Sequence, residues 1–546
     1  MKRKNIDKKI DISIAGVGNK RKEDFVSPLN AAKKSSPLIY VSESLYNIYP
    51  WCTPSLPCKE QEDYYRVAGF YIPKSFSIHD EKIGNFYERT GAFGEAEKKA
   101  AKVYGADETC FGLGGTSWTM RAILRSFERF NRNNGNKDVK LLSTRDVHKA
   151  VYKSFREYEI GVDYLPTNYD DEKELFLPTS PKDVEKALEK NKNYNGIIIS
   201  APNYEGLVPN EVEIAKIAHD YNIPLIVDEA WGAHLGFSEK LPKSAMQCGA
   251  DICAQSIHKQ GGALNLASVI HFKYGILDKE FFETLKEIHY DDYSSTSVNW
   301  DIIASICAST HFLEKKGKET LGQMVDCSED VRNEIKKING LQTFGKEICN
   351  EYPEYIHDLD LTKITIDTTQ TGIPGDVMAN YLWKDFRIVK ERAEPRHVQL
   401  ITHYRIPKNK WEIGYLSDAF RRIVDHHKPK ENNLKNNSVK YPREVIKKFE
   451  HYEVYNLPSK YKEFVPLEEA VGRQSADTIC CYPPGRYFVV EGETILQSHI
   501  DYSKQAKKMD TSIHAKDPSL EKIYVLKPEA VELIEGSKKT GDLWAI

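Results

Sequence analysis

A lysine beside a histidine, about thirty residues after an aspartate that closes a strand-like run, pairs an amine with a carboxylate in a way that suits an aldehyde cofactor. Lys259, in QSIHKQGGALNLAS (Gln255 to Ser268), supplies the amine, and Asp228, in IPLIVDEAWGAH, supplies the carboxylate. The amine can condense with the aldehyde to a Schiff base. A carboxylate set against a pyridine nitrogen keeps that nitrogen protonated, so that the ring accepts electrons from the α carbon of an attached amino acid. The pair therefore reads as the anchor and the electronic partner of pyridoxal 5'-phosphate. GLGGTSW (Gly112 to Trp118) precedes the helical run TMRAILRSFERF, and its small residues and hydroxyls offer a helix N-terminus to a phosphate. By itself this stretch reads as a tight turn with an N-cap. STRDVHKAV ends a strand near Asp146 to Lys149, where the flat ring of His148 can cover the cofactor's face; standing alone, it reads as a structural histidine.

Such residues must be displayed at strand ends, and the chain provides them. Between about Gly91 and Phe272, β-branched runs alternate with helical patterns; NGIIISAPNYEGLVP, IPLIVDEAWGAH and ADICAQSIHK each pass from a strand-like run into a polar one. The expected fold is α/β, with a large domain over residues 91–319 holding a mainly parallel sheet covered by helices. LTKITIDTTQTG, IPGDVMANYLWKDF and HVQLITHYRI point to a smaller α/β domain over 320–424. A polar, Lys/Asn-rich linker is expected over 425–445 and a C-terminal α+β domain over 446–546, with an N-terminal arm and segment over 1–90.

Composition narrows the partners. The 77 Lys and Arg residues nearly balance 80 Asp and Glu, so no field for nucleic acid or an anionic membrane is implied, and a small molecule is the expected partner. The basic N-terminus lacks the apolar stretch of a secretory signal, and no uncharged run reaches membrane-spanning length; the chain reads as soluble and cytoplasmic. The ten cysteines show no CxxC pair and no Cys/His ligand spacing. Cys480 and Cys481 read as reduced thiols, His426 and His427 as solvated linker residues, and no metal is expected.

Taken as an ordered set from about Gly91 to Glu493, these segments resemble the ornithine, lysine and arginine decarboxylases of bacterial type, pyridoxal phosphate enzymes of the aspartate aminotransferase fold. GAFGEAEKKAAKVYGADETCFGLGGTS is similar to that family's entry to the phosphate loop and RDVHKAV to its ring-stacking histidine segment. VDEAWGAHLGFSEKLPKSAMQCGADICAQSIHKQGGALNLAS resembles the block with the Schiff-base lysine, and CYPPGRYFVVEGE a segment of the C-terminal domain. The resemblance implies that Lys259 carries the cofactor, Asp228 pairs with its ring nitrogen and His148 stacks on the ring. It implies phosphate contacts from Gly115, Thr116, Ser117, Ser256 and His258, and ring contacts from Ala230 and Trp231, the latter equally readable as packing. Ser295 and Thr296 in SSTSVNW resemble hydroxyls used near the phosphate across a dimer interface, which implies a homodimer. Four departures bear on the substrate rather than the cofactor. AGFYIPKSFSIHDE stands where a Pro-Gly-His-Lys segment is usual, Ile257 replaces a hydroxyl residue, Val298 replaces a proline, and Glu491-Gly492-Glu493 replaces Pro-Gly-Glu.

The implied reaction is decarboxylation of a basic amino acid to an amine and carbon dioxide, with Lys259 or His258 returning a proton to the α carbon. A distal cation calls for a carboxylate, because a buried ammonium without a partner is costly; Glu391, Glu469 and Glu493 are candidates. An aminotransferase would instead clamp the α-carboxylate with an arginine such as Arg392 or Arg396, and side-chain elimination or replacement is a further alternative. A non-catalytic regulator of a true decarboxylase would have no need to keep both Lys259 and Asp228.

Overall fold

The computed structural model describes residues 84–136, 138–408, 410–427, 440–482, 486–508 and 512–540. At its centre lies a seven-stranded sheet of β1 (Glu108–Gly112), β2 (Lys140–Ser143), β3 (Gly161–Tyr164), β4 (Gly196–Ser200), β5 (Leu225–Asp228), β6 (Ile252–Gln255) and β7 (Ser268–Phe272), ordered β1-β7-β6-β5-β4-β2-β3. The pairings from β6 through β5, β4 and β2 to β3 are parallel, and β7 runs against both its neighbours. Six strands, β1 to β6, therefore deliver their carboxyl ends to one edge.

The helices that cover the sheet include α1 (Gly91–Tyr104), α2 (Gly115–Asn133), α3 (Lys149–Glu157), α4 (Pro181–Lys190) and α5 (Glu211–Asp220). Central strands such as GIIIS and LIVD are apolar up to their last residue because both faces are covered, and successive side chains go to opposite layers. Ile198 and Ile226 meet Ile123 and Phe127 of α2 in one core. Ile197, Ile199, Leu225 and Val227 meet Val184 and Leu188 of α4 and Ile214 and Ala218 of α5 in the other. Local sequence sets the helix starts. In α4, Ser180 accepts the Asp183 N–H at 3.1 Å while the Asp183 side chain reaches back to the Ser180 N–H, and Pro181 fits the first turn.

The 37-residue helix α6 (Trp300–Lys336), capped by Asn299, leaves this core for a second one. Ile303, Leu313, Leu321 and Met324 pack into the large core, whereas Cys327, Val331 and Ile335 pack into the smaller one. The boundary expected at 319/320 thus lies inside a continuous helix, with the change of partner between Val325 and Cys327. The smaller core is closed by an antiparallel sheet of β8 (Gln342–Thr343), β9 (Lys363–Asp367), β10 (Arg392–Ala393) and β11 (His397–Ile401), ordered β8-β9-β11-β10, together with α7 (Gly375–Phe386) and α8 (Trp411–His426). Helix α8 runs into the expected linker, and His427 stacks on Tyr381 with ring centres 3.8 Å apart, so this end of the segment is packed rather than solvated.

The C-terminal part has β12 (Lys462–Pro466) paired with β16 (Lys522–Leu526), and β13 (Ile479–Tyr482) between β14 (Arg486–Val489) and β15 (Ser512–His514). Its core gathers Tyr441, Val465, Ile479, Phe488 and Val525. The basic arm, AGFYIPKSFSIHDE, most of the polar linker and Pro483–Gly485 lie outside the described residues. Among the described residues no helix is long and apolar enough to cross a membrane, the cysteines are free, and no cluster of His, Cys, Asp or Glu could hold a metal.

Candidate active site

Asp228 closes β5 and is buried, one oxygen accepting the Ala230 N–H at 3.2 Å. Burial pushes its carboxyl up to about 6, against the pull of Lys259 and the Ala230 N–H, while Asp146 adds repulsion. A cation placed against it would relieve this desolvated charge. Lys259 lies one turn beyond β6, the parallel neighbour of β5, and its Nζ sits 3.9 Å from the centre of the Trp231 ring. Burial pushes its amine down to about 8, although Asp228 and Glu391 favour the charged form. More of the nucleophilic neutral amine is therefore present near neutral pH than in an exposed lysine.

His148 caps α3 by accepting the Ala150 N–H at 3.2 Å on Nδ1. The residue is exposed, and its ring opens onto a cavity of about 460 Å³ between α2, α3 and the C-terminal part. Desolvation in the cleft, then the charges of Lys259 and Lys149, push its pKa down, which favours a flat, uncharged surface.

A phosphate cradle lies at the start of α2. The N-cap is Gly114, so no side chain caps the helix start; the Gly115 N–H donates to the Leu266 carbonyl at 2.8 Å, and Gly115 adopts φ +68°. A Cβ on Gly114 would meet the Trp118 ring at 2.1 Å, whereas one on Gly115 would come within 3.6 Å of His258 Cε1. Thr116 Oγ1 and Ser256 Oγ, 2.9 Å apart, tie this helix to the end of β6. His258 is oriented by a 2.9 Å hydrogen bond from Nδ1 to the Ala267 carbonyl, and burial pushes its pKa down. The uncapped helix N–H groups after Gly115, two hydroxyls and a side-chain-free turn suit a phosphate monoester, and the amine and carboxylate suit a pyridine aldehyde.

The structure brings Lys259, Asp228, Ala230 and Trp231 together, and likewise Gly115, Thr116, Ser256 and His258; Ser117 and His148 line the adjoining cavity. Glu391 reaches the cleft, where its Oε1 accepts the Tyr204 hydroxyl at 2.7 Å. Glu493 does not serve a substrate. It is fully buried, held by both terminal nitrogens of Arg145 and by the Val490 N–H at 3.0 Å, and joins the C-terminal part to the loop bearing His148. Glu469 is exposed in a turn of that part. Arg396 donates to Thr369 at 3.1 Å and faces Glu174 at 3.8 Å, while Arg392 is committed to Glu205 at 2.8 Å. Ser295 and Thr296 are exposed, and the Ser295 hydroxyl accepts the Ser297 N–H at 3.1 Å.

Three residues not anticipated from the sequence shape the walls. Tyr204, after β4, packs edge-on to Trp231 with ring centres 5.1 Å apart. Glu205 takes two hydrogen bonds from Arg486, at 3.0 and 2.8 Å, besides that from Arg392. Lys363 of β9 donates to the carbonyls of Asn203 and Tyr204, each at 3.1 Å. A lysine inside the apolar run KITID was the available signal for the last.

Known proteins resemble this chain in sequence and in fold. A family model described as "Orn/Lys/Arg decarboxylase, major domain" matches residues 61–410. An arginine decarboxylase of Halalkalibacterium halodurans is 27% identical over 82% of this chain and 87% of its own length. That of Bacillus subtilis is 24% identical over 82% and 88%. The solved lysine decarboxylase A from Pseudomonas aeruginosa superposes with a TM-score of 0.76 at 19% identity, covering 93% of this chain and 82% of that one.

Proposed function

Because the chain belongs to the Orn/Lys/Arg decarboxylase family, we propose that it holds pyridoxal 5'-phosphate at Lys259 and removes carbon dioxide from a basic amino acid, arginine foremost. The observation that carries this reading is the meeting of Lys259 and Asp228 at the ends of two adjacent parallel strands, beside a helix N-terminus with no side-chain cap. When bound, the cofactor supplies an electron sink for the α carbon. The chain does the rest. Lys259 offers a partly neutral amine, Asp228 a desolvated negative charge that a pyridinium satisfies, and His148 an uncharged face. The N–H groups of α2 after Gly115, with the hydroxyls of Thr116, Ser117 and Ser256, hold the phosphate. Trp231 and Tyr204 wall the cleft with aromatic surface, which limits water there.

After the carboxyl group leaves, a proton must reach the α carbon, and Lys259 Nζ is placed to deliver it, with His258 as the alternative donor. Glu391 is the carboxylate best placed for the substrate's distal cation, since it stands at the cleft on Tyr204 while Glu493 is bound to Arg145. Arginine is preferred because the relatives from Halalkalibacterium halodurans and Bacillus subtilis are arginine decarboxylases. The exposed hydroxyls of Ser295 and Thr296 fit contributions to a second protomer's phosphate site, and so a homodimer with shared sites; a cytoplasmic location completes the proposal.

Incubating the full chain and pyridoxal phosphate with carboxyl-labelled arginine, lysine and ornithine tests the reaction. Labelled carbon dioxide and the matching amine are expected from one of them. A keto acid that retains the label would establish transamination instead.

A further inference from the structure

One carboxylate ties the segment after Asp228 to the segment after Lys259. Asp360 lies where the chain passes between the domains: Leu359 and Leu361 pack in the large core, Ile364 and Ile366 of β9 in the smaller one. Its Oδ1 collects three donors. The Thr362 N–H reaches it at 3.0 Å and the Thr362 hydroxyl at 2.6 Å, and His234 Nε2, in the loop after β5, lies 3.2 Å away. On the other side, Gln260 Nε2 donates to the Thr362 hydroxyl oxygen, and the Gln260 carbonyl accepts from the Tyr404 hydroxyl. The residue next to Lys259 is thus held by its side chain and by its backbone. Because Asp360 Oδ1 accepts the hydroxyl proton of Thr362, the Thr362 lone pairs are left for the Gln260 amide. The hydrogen bonds of His234, Thr362 and Gln260 therefore all point toward Asp360, and none of the four residues is more than 6% exposed.

We propose that Asp360 and Thr362 are positioning residues that fix Lys259 relative to Asp228 from the crossing between the two domains. This inference rests on reading Lys259 as the cofactor's anchor. Asp228 is held in the ladder itself, opposite Ala254 of β6. Lys259 lies beyond the end of β6, in a turn where its N–H reaches back to the Ser256 carbonyl at 3.1 Å. What holds that turn from outside comes from the smaller domain and from α6. Thr362 leads into β9 and Tyr404 follows β11, and the Thr362 carbonyl accepts the Thr402 N–H at 2.9 Å, so both contacts to Gln260 move with one sheet. Ser309 of α6 donates to the Gly261 carbonyl at 2.6 Å. A reacting group displaced by about 1 Å can lose about 10²-fold in rate. Contacts that set Lys259 through its neighbour therefore act on the chemical step without touching the substrate.

Two substitutions at one position test this on the full chain. Thr362→Val keeps the size and removes the hydroxyl, whereas Thr362→Ser keeps the hydroxyl. Without cofactor, hydrogen exchange read by mass spectrometry should quicken about fivefold in the peptide from Gln260 to Ser268 of the valine variant, the effect of one lost hydrogen bond. The serine variant should exchange like the parent there, and the β4 peptide should be unmoved in both. With pyridoxal phosphate bound, the valine variant should show weakened visible circular dichroism and a kcat about tenfold lower, with KM within about twofold. Serine should restore both. Exchange and dichroism need no turnover, so they hold whichever amino acid is the substrate. A network that serves stability alone would quicken exchange throughout the fold and leave dichroism and kcat as in the parent. That result overturns the proposal, as does a valine variant indistinguishable from the parent or a serine variant that fails like valine. Should the valine variant not fold, Gln260→Met cuts the same link from its other end, and the dichroism and kcat decide. Borohydride reduction separates the two levels. An adduct on a lysine other than Lys259 in the parent refutes the anchor itself, whereas an adduct on Lys259 with unmoved exchange in the valine variant refutes only the positioning.

Discussion

At the scale of single residues, Asp228 shows how position makes chemistry. It ends β5, paired in register with Ala254 of β6, and a carboxyl that would be fully ionised at the surface is pushed up to about 6 by burial. Its folded value lies above the unfolded one of about 3.9, so its contribution to stability is present below that value and is lost as pH rises through about 6. A pyridinium restores that loss. Cofactor affinity should therefore fall as the pH drops below about 6, measurable by absorbance titration. Asp228→Asn keeps the shape and removes the charge; kcat should fall by about 10²–10³, the cost of deleting one preorganised electrostatic partner, in steady-state assays of carbon dioxide release. Lys259 and Asp228 were legible because each follows a β-branched run that must end at the same sheet edge. Lys363 was not, since its role depends on a strand more than a hundred residues further along the chain. The carboxylate of Glu493 was misjudged for a related reason: a sequence does not reveal that Arg145 will be buried against it.

Among elements, the N-terminus of α2 carries the most exposed claim. Gly115 occupies a left-handed conformation that a side chain resists by about 1 kcal/mol, so Gly115→Ala should weaken pyridoxal phosphate binding by roughly fivefold. Fluorescence titration with pyridoxal, which lacks the phosphate, should show a much smaller change. The alternation of strand and helix from Gly91 to Phe272 was readable because two buried faces demand uninterrupted apolar strands. The limit of the first domain was not, because α6 passes from one core to the other without a turn, proline or change of periodicity at the crossing.

The whole molecule is joined at the cleft by buried charge. Glu205 belongs to the loop after β4 of the large domain, Arg392 to β10 of the smaller one and Arg486 to β14 of the C-terminal part, so a single carboxylate binds all three. Burial alone would raise its pKa, but Arg486 and then Arg392 hold it far below the usual carboxylate range. The stability it lends is thus present above the unfolded value of about 4.3 and lost as pH falls through the folded one. Glu205→Gln leaves buried Arg486 without its paired carboxylate and Arg392 with Glu394 alone, 3.3 Å away, and should lower stability by about 3–5 kcal/mol, seen as a lower urea midpoint at neutral pH with a flatter acid-side dependence. Arg145 with Glu493 and Arg156 with Glu491 fasten the C-terminal part to the loop and helix around His148, an assembly that no local pattern announces. The proposed covalent anchor is tested most directly on the intact protein. After incubation with pyridoxal phosphate and reduction with borohydride, the chain should gain the mass of a single pyridoxyl phosphate, mapped to Lys259 and abolished in Lys259→Ala. No gain in mass, or an adduct that survives that substitution, would contradict the account.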